Sequence, residues 1–157
     1  MLEKGNKAPD FTLESTEGHP LSLHDFKGKM VVLYFYPKDM TPGCTTEACD
    51  FRDQNARFAD LGAVVLGISA DSLERHLAFS EKHGLPFILL SDPEHQTAEA
   101  YGAWQLKKNY GKSYYGIVRS TFIIDQAGQI VKVYPKVKVA GHVEDVYDYV
   151  KNQLNEQ

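Results

Sequence analysis

The chain is poor in cysteine, with only Cys44 and Cys49 among 157 residues. Two cysteines cannot staple a domain of this size, so a disulfide scaffold of the secreted kind is excluded. They also fall short of the four ligands of a structural zinc, and their five-residue spacing is neither a zinc motif nor Cys-x-x-Cys. Long apolar runs are missing as well: none approaches the roughly 20 residues that cross a bilayer. Residues 1–6 lack the apolar core of a signal peptide, so a reducing cytoplasm is the expected compartment. Basic charge is not in excess, with 17 Lys and Arg against 21 Asp and Glu, which argues against a nucleic-acid footprint. Repeats, low-complexity tracts and linkers are absent. What is there, 43% hydrophobic and 24% charged residues, is an ordinary globular composition. The length fits one domain over 1–157, able to bury roughly 70% of its unfolded surface.

Apolar patterning predicts an α/β chain. Residues 10–13 and a piece around Leu21-Ser22-Leu23, with a turn at Gly18, read as an N-terminal hairpin. Residues 30–36 are a continuous apolar run ending at Pro37, the mark of a buried central strand. A helix is expected over 41–61, a buried strand over 63–69, a helix over 72–83, a strand over 87–90 and a short helix near 94–101. Residues 120–125 and 129–134, joined by a glycine turn, read as a second hairpin, and 143–154 as a final helix. Alternating strands and helices imply parallel pairs and the hairpins antiparallel ones, hence a mixed central sheet flanked by helices on both faces. Residues 104–116 stand out, carrying Trp104, Tyr110, Tyr114 and Tyr115 among Lys107, Lys108 and Lys112. Net negative charge and shortness favour a loop covering the sheet edge over a base-stacking surface.

Cys44 sits where a thiol is most acidic. Thr41 is a good N-cap, and Pro42 follows at the first helical position, where a missing N–H costs nothing. Cys44 is then the third helical residue, among N–H groups without intrahelical partners and at the positive end of the helix dipole. A pKa well below the ~8.5 of free cysteine is expected, hence a nucleophile at neutral pH. Five residues along a helix give about 7.5 Å of rise and about 140° of rotation. Cys44 therefore shares the row of Ala48, Phe51 and Phe58, facing the sheet, while Cys49 falls on another side with Asp53 and Asp60. An intact helix does not bring the two sulfurs within bonding geometry, so a bridge between them requires the first turn to unwind.

This disfavours a simple dithiol shuttle and suits a thiolate that first acts alone on a peroxide O–O bond, yielding a sulfenic acid. The leaving oxygen needs preorganised donors. Candidates are the N–H groups of Gly43 and Cys44, the Thr41 hydroxyl and a guanidinium. Gly43 also permits close backbone approach. Arg52 and Arg57 point away from the first helical turn, whereas Arg119, just before the strand at 120, can project to the sheet end. Glu47 complements the helix dipole, with a network to Arg119 as a secondary role. The histidines (His19, His24, His76, His83, His95, His142) fall in expected loops or on helix surfaces, none paired at metal spacing, and receive no role. Lys38 and Asp39 read as solvated loop charges.

Pro37-x-x-x-Thr41-x-x-Cys44 resembles the active-site signature of peroxiredoxins. The longer string Tyr36-Pro37-Lys38-Asp39-Met40-Thr41-Pro42-Gly43-Cys44-Thr45-x-Glu47-x-Cys49 is similar to their Q-type branch, the bacterioferritin comigratory proteins. Ala8-Pro9-Asp10-Phe11, Gly67-Ile68-Ser69, Trp104, Tyr110-Gly111-Lys112 and Arg119-Ser120-Thr121-Phe122 extend the resemblance over nearly the whole chain. It implies a thioredoxin-like fold with an N-terminal extension, and a thiol peroxidase acting on hydrogen peroxide and organic hydroperoxides without metal or organic cofactor. It implies Cys44 as the peroxidatic cysteine, Thr41, Arg119 and Gly43 at the substrate, Pro37 shielding Cys44, and Cys49 as the resolving cysteine. It further implies a monomer recycled by thioredoxin or a similar dithiol protein. The alternatives are a protein thiol–disulfide oxidoreductase, which the missing Cys-x-x-Cys counts against, and a redox sensor on the same fold.

Overall fold

The computed structural model describes residues 1–156. In chain order the elements are β1 (Thr12–Ser15), β2 (Leu21–Ser22), β3 (Met30–Phe35), α1 (Pro42–Asp60), β4 (Ala63–Ser69), α2 (Leu73–His83) and β5 (Ile88–Ser91). They continue with α3 (Gln96–Tyr101), β6 (Trp104–Asn109), β7 (Lys112–Ile117), β8 (Ser120–Ile124), β9 (Ile130–Tyr134) and α4 (His142–Asn155), and a 3-10 turn (Leu23–Phe26) follows β2. Apart from β6, β7 and the 3-10 turn, which the sequence reading does not contain, boundaries lie within a residue or two of the expected ones, the usual scatter at frayed ends.

An apolar run with no polar face must be covered on both sides, and β3 is. Met30, Val32 and Tyr34 point into one core with Phe51 and Phe58 of α1, Phe79 of α2 and Val146 of α4. Val31, Leu33 and Phe35 point into the other, with Ala98 and Tyr101 of α3 and Leu23 of the 3-10 turn. The seven-stranded sheet has the order β2-β1-β5-β4-β3-β8-β9. β3 runs parallel to β4, and β4 to β5, while β8 lies antiparallel to β3 and β9 to β8. Opposite Tyr34 stands Gly67. A Cβ there would meet the Tyr34 ring at 2.9 Å, so glycine makes room for that ring over the sheet.

Residues 104–116 are not a loop. β6 and β7 form a separate two-stranded antiparallel hairpin, paired from Trp104↔Ile117 to Asn109↔Lys112. Its two-residue turn holds Tyr110 and Gly111 at φ 52° and 76°, the paired left-handed conformation that matches strand twist. Most of the hairpin is exposed, Tyr110 almost wholly. It is buried at its base, at Ile117 with Trp104 packed against the core, and the exposed remainder carries no apolar alternation, which is why the pattern reads as a loop.

Candidate active site

β3 delivers the chain to its end at Phe35, and residues 36–41 turn it into α1. Cys44 is the third residue of that helix and is buried, in one row with buried Ala48, Phe51 and Phe58. The first intrahelical bond runs from Thr45 N–H to Thr41 O at 2.8 Å, so the N–H groups of Gly43 and Cys44 lie ahead of the ladder. Pairing of Phe35 with Ser120 sets Arg119 beside the same sheet end. Its Nη2–H donates to Cys44 Sγ at 3.2 Å and its Nη1–H to Glu47 Oε1 at 2.6 Å. Arg52 and Arg57 are engaged elsewhere, with Asp53 and with Glu144 and Tyr147.

Glu47 is fully buried one turn behind Cys44. Burial pushes its carboxyl up to about 7, against the opposing pull of Arg119. Burial works against the charge on Arg119 too, but Glu47 and Cys44 outweigh it and hold the guanidinium above its ordinary value. Among the described residues Glu47 Oε2 and the buried Tyr34 hydroxyl have no hydrogen-bond partner. Tyr34 is held well above its ordinary range by burial and then by the charge of Glu47. A Cβ on Gly43 would stand 3.2 Å from Arg119 Nη2, so this glycine leaves space for the guanidinium.

Thr41 occupies the N-cap position with extended backbone, but its side chain caps nothing. The hydroxyl donates to Lys38 O at 2.8 Å instead. Its proton is thereby committed and its lone pairs remain open, which corrects the expectation of a side-chain cap. Pro37 is half-buried just beyond β3. Cys49 is half-buried on another side of α1, its sulfur 3.9 Å from His83 Nδ1 of α2. Both cysteines are free thiols.

A thiol so placed can attack an electrophile, while the guanidinium and the helix N–H groups beside it stabilise the charge that departs. Comparison with known proteins agrees. The model of the AhpC/TSA family matches residues 4–133. The chain belongs to that family of peroxiredoxins. It is 57% identical over 151 residues to Peroxiredoxin Bcp of Bacillus subtilis and 44% over 150 to Peroxiredoxin Bcp of Escherichia coli K12, covering 96% of each pair of chains. Among solved structures it is similar to the Xanthomonas campestris bacterioferritin comigratory protein, described for alkyl peroxide reduction, with TM-score 0.88, 41% identity and 92% of both chains covered. It is likewise similar to a Xylella fastidiosa PrxQ mutant, with TM-score 0.92, 34% identity and 98% of both chains covered. The fold is thus thioredoxin-like with an N-terminal hairpin, and the protein is a thiol peroxidase of the Bcp/PrxQ type that reduces hydroperoxides. No helix among the described residues is long and apolar enough to cross a membrane.

This peroxiredoxin also holds a polar cluster that sequence reasoning misplaced. Asp39 is fully buried, not a solvated loop charge, and so is His76, not a helix-surface residue. Asp39 Oδ1 accepts from the Tyr36 hydroxyl at 2.5 Å, and Oδ2 lies 2.6 Å from His76 Nδ1. His76 Nε2–H in turn donates to Leu90 O at 2.9 Å. The Asp39 backbone is held as well, its N–H donating to Asp71 Oδ2 and its carbonyl accepting from Arg75 Nη2. Met40 follows at φ 67°, a left-handed conformation that costs a side-chain-bearing residue about 1–2 kcal/mol. The clamp therefore offsets backbone strain in the segment leading to Cys44. His142 is the second buried exception, bonded to Thr121 Oγ1 through Nε2 at 2.8 Å. Signals existed: His76 lies one helical turn before Phe79, and His142 one turn before Val146, both on buried stripes.

Proposed function

We propose that Cys44 is the peroxidatic cysteine of this peroxidase. Its thiolate attacks the terminal oxygen of a hydroperoxide: the S–O bond forms, the O–O bond breaks, and the departing alkoxide or hydroxide takes a proton and leaves as alcohol or water. Arg119 donates to the attacking sulfur and to the oxygen that gains charge, aided by the N–H groups of Gly43 and Cys44. Thr41, with its proton on Lys38 O, accepts from the hydroperoxide O–H, and Pro37 screens the sulfur from water. Glu47 aims the guanidinium. The observation that carries this reading is the 3.2 Å contact between Arg119 Nη2 and Cys44 Sγ at the start of α1. Hydrogen peroxide and alkyl hydroperoxides are the substrates we infer, the latter after the activity named for the Xanthomonas relative.

Cys49 then resolves the sulfenic acid as an intramolecular disulfide. In an intact helix residues five apart have Cα atoms about 8–9 Å from each other, beyond the ~6.8 Å reach of a disulfide, so the first turns of α1 unwind. The different settings of the two thiols count against a dithiol shuttle acting on proteins. We further infer one functional domain, a monomer working in the cytoplasm, recycled by thioredoxin or a similar dithiol protein and needing no metal or organic cofactor.

The test is one equivalent of peroxide followed by mass spectrometry. Cys44→Ser abolishes peroxide consumption. Cys49→Ser completes one turnover and stops as sulfenic acid, which over-oxidises to sulfinic acid when a second equivalent of peroxide is added. Sustained thioredoxin-driven cycling of Cys49→Ser, followed by NADPH oxidation, would place resolution elsewhere.

A further inference from the structure

Cys49 has surroundings of its own. Its sulfur lies 3.9 Å from Nδ1 of His83, the last residue of α2, within reach of a sulfur–nitrogen hydrogen bond. Phe79, one turn earlier, packs edge-on against the imidazole with ring centroids 5.2 Å apart. The His83 carbonyl accepts from Arg52 Nη1 at 2.9 Å, and Arg52 Nε donates to Asp53 at 2.9 Å. α1 and α2 are thus tied together at this point, and the ring is oriented against the thiol. The Arg52 guanidinium is also near enough to Cys49 to be favoured by a charge on its sulfur. Thiol and imidazole are both half-buried.

We propose that His83 is the general base that ionises Cys49 for its attack on oxidised Cys44. The inference rests on Cys49 being the resolving thiol and adds the fate of its proton. His83 Nδ1, on a ring carrying its own proton at Nε2, takes the proton from Cys49 Sγ. The thiolate then attacks the sulfenic sulfur of Cys44. The S–S bond forms as the S–O bond breaks, and the oxygen departs as hydroxide. The proton held by His83 returns through solvent to that hydroxide, giving water. The peroxide of the preceding step has supplied the oxidising equivalents, so no further reactant enters. Ionisation while Cys49 still rests against His83 arms the nucleophile before α1 opens, and Arg52, backed by Asp53, is the cation that borders the new charge.

The size of the effect is bounded. An unassisted cysteine is already a few per cent thiolate at pH 7, so the base is worth about 10–30-fold there. Above about pH 9 the thiol ionises alone and the advantage disappears. The experiment mixes the full chain rapidly with one equivalent of hydrogen peroxide, quenches with acid and an alkylating reagent, and counts sulfenic acid and disulfide by mass. His83→Gln and His83→Asn should form sulfenic acid as the parent does, form disulfide about 10–30-fold more slowly at pH 7, and regain the parent rate by about pH 9.5. Disulfide formation that is unchanged at pH 7, or slowed by one factor at every pH, overturns the proposal, since packing loss alone has no reason to follow thiol ionisation. Cys49→Ser run in parallel separates the two claims. If it still cycles, the resolving role fails; if it stops while His83→Gln is normal, only the base fails.

Discussion

Cys44 and Cys49 ride on one helix, but five residues turn them about 140° apart, and their neighbours differ in kind. Cys44 looks toward the sheet and meets a guanidinium that arrives from the start of β8 and is aimed by a buried carboxylate. Cys49 looks toward α2 and meets an imidazole at that helix's last residue. The first setting is preorganised by long-range contacts and by the clamp on residue 39, and it suits a sulfur that must react in place. The second is a half-open contact between α1 and α2, and on the proposed mechanism it suits a sulfur that has to leave its seat before it bonds. One helix can therefore carry two thiols of different chemistry because side chains from separate strands and helices, more than the helix itself, decide each environment.

Removing Arg119 breaks this contrast most directly, because it strips Cys44 of its cation and leaves Cys49 untouched. Loss of one preorganised donor from such a site costs about 10²–10³ in rate, and here Cys44 Sγ loses its hydrogen-bond donor at the same time. Arg119→Gln should therefore slow sulfenic-acid formation about 10³-fold, measured by dimedone trapping after a peroxide pulse, while alkylation of Cys49 keeps the parent rate. Arg119→Lys restores charge but not the two-pronged contact to sulfur and carboxylate, and should recover only part of the loss. Equal slowing of both thiols would mean that the contrast lies in global folding, not in the guanidinium.

The clamp between Asp39 and His76 sharpens the same contrast from the loop side. Breaking one partner of a buried, hydrogen-bonded pair leaves the other without compensation and costs about 3 kcal/mol or more. His76→Leu and Asp39→Asn should each lower unfolding stability by about 3 kcal/mol in urea titration. Each should also loosen the segment before α1, read as faster amide exchange at Met40 to Gly43. The double variant should cost less than the sum of the two, because both remove one interaction. Full additivity would mean that the two groups do not depend on each other.

Much of this was legible from local pattern. The Thr41-Pro42 start, the row of Ala48, Phe51 and Phe58, and a strand beginning after Arg119 favoured that guanidinium as the partner of Cys44, a choice that spacing alone does not fix and that the contact between them supplies. What escaped is what local pattern cannot carry. Asp39 and His76 are 37 residues apart, and neither is tolerable in the interior without the other, so the pairing exists only in three dimensions. The β6–β7 hairpin is buried at its base alone, at Ile117 with Trp104 packed against the core, and leaves no alternation to read. At Thr41 the sequence marks the position of the cap but not the rotamer, which a carbonyl three residues back captures.

The smallest effect concerns two buried groups near Arg119 whose titrations oppose each other. Burial raises Glu47 from 4.5 to about 7, so between those values the folded chain keeps a proton that the unfolded chain has lost. Its contribution to stability is full below pH 4.5 and is lost as pH rises to 7. Burial lowers His142 from 6.5 to about 4, so the unfolded chain there binds a proton that the folded one refuses. That contribution is full above pH 6.5 and is lost as pH falls to 4. Each shift corresponds to about 3 kcal/mol at most, and between pH 4.5 and 6.5 the slopes cancel, leaving stability nearly flat. Glu47→Gln should unmask a rise in the urea midpoint across this window and His142→Asn a fall. A flat profile in both variants would show that neither group carries a proton difference between the two states. The Glu47 term would then lie wholly in its contact with Arg119.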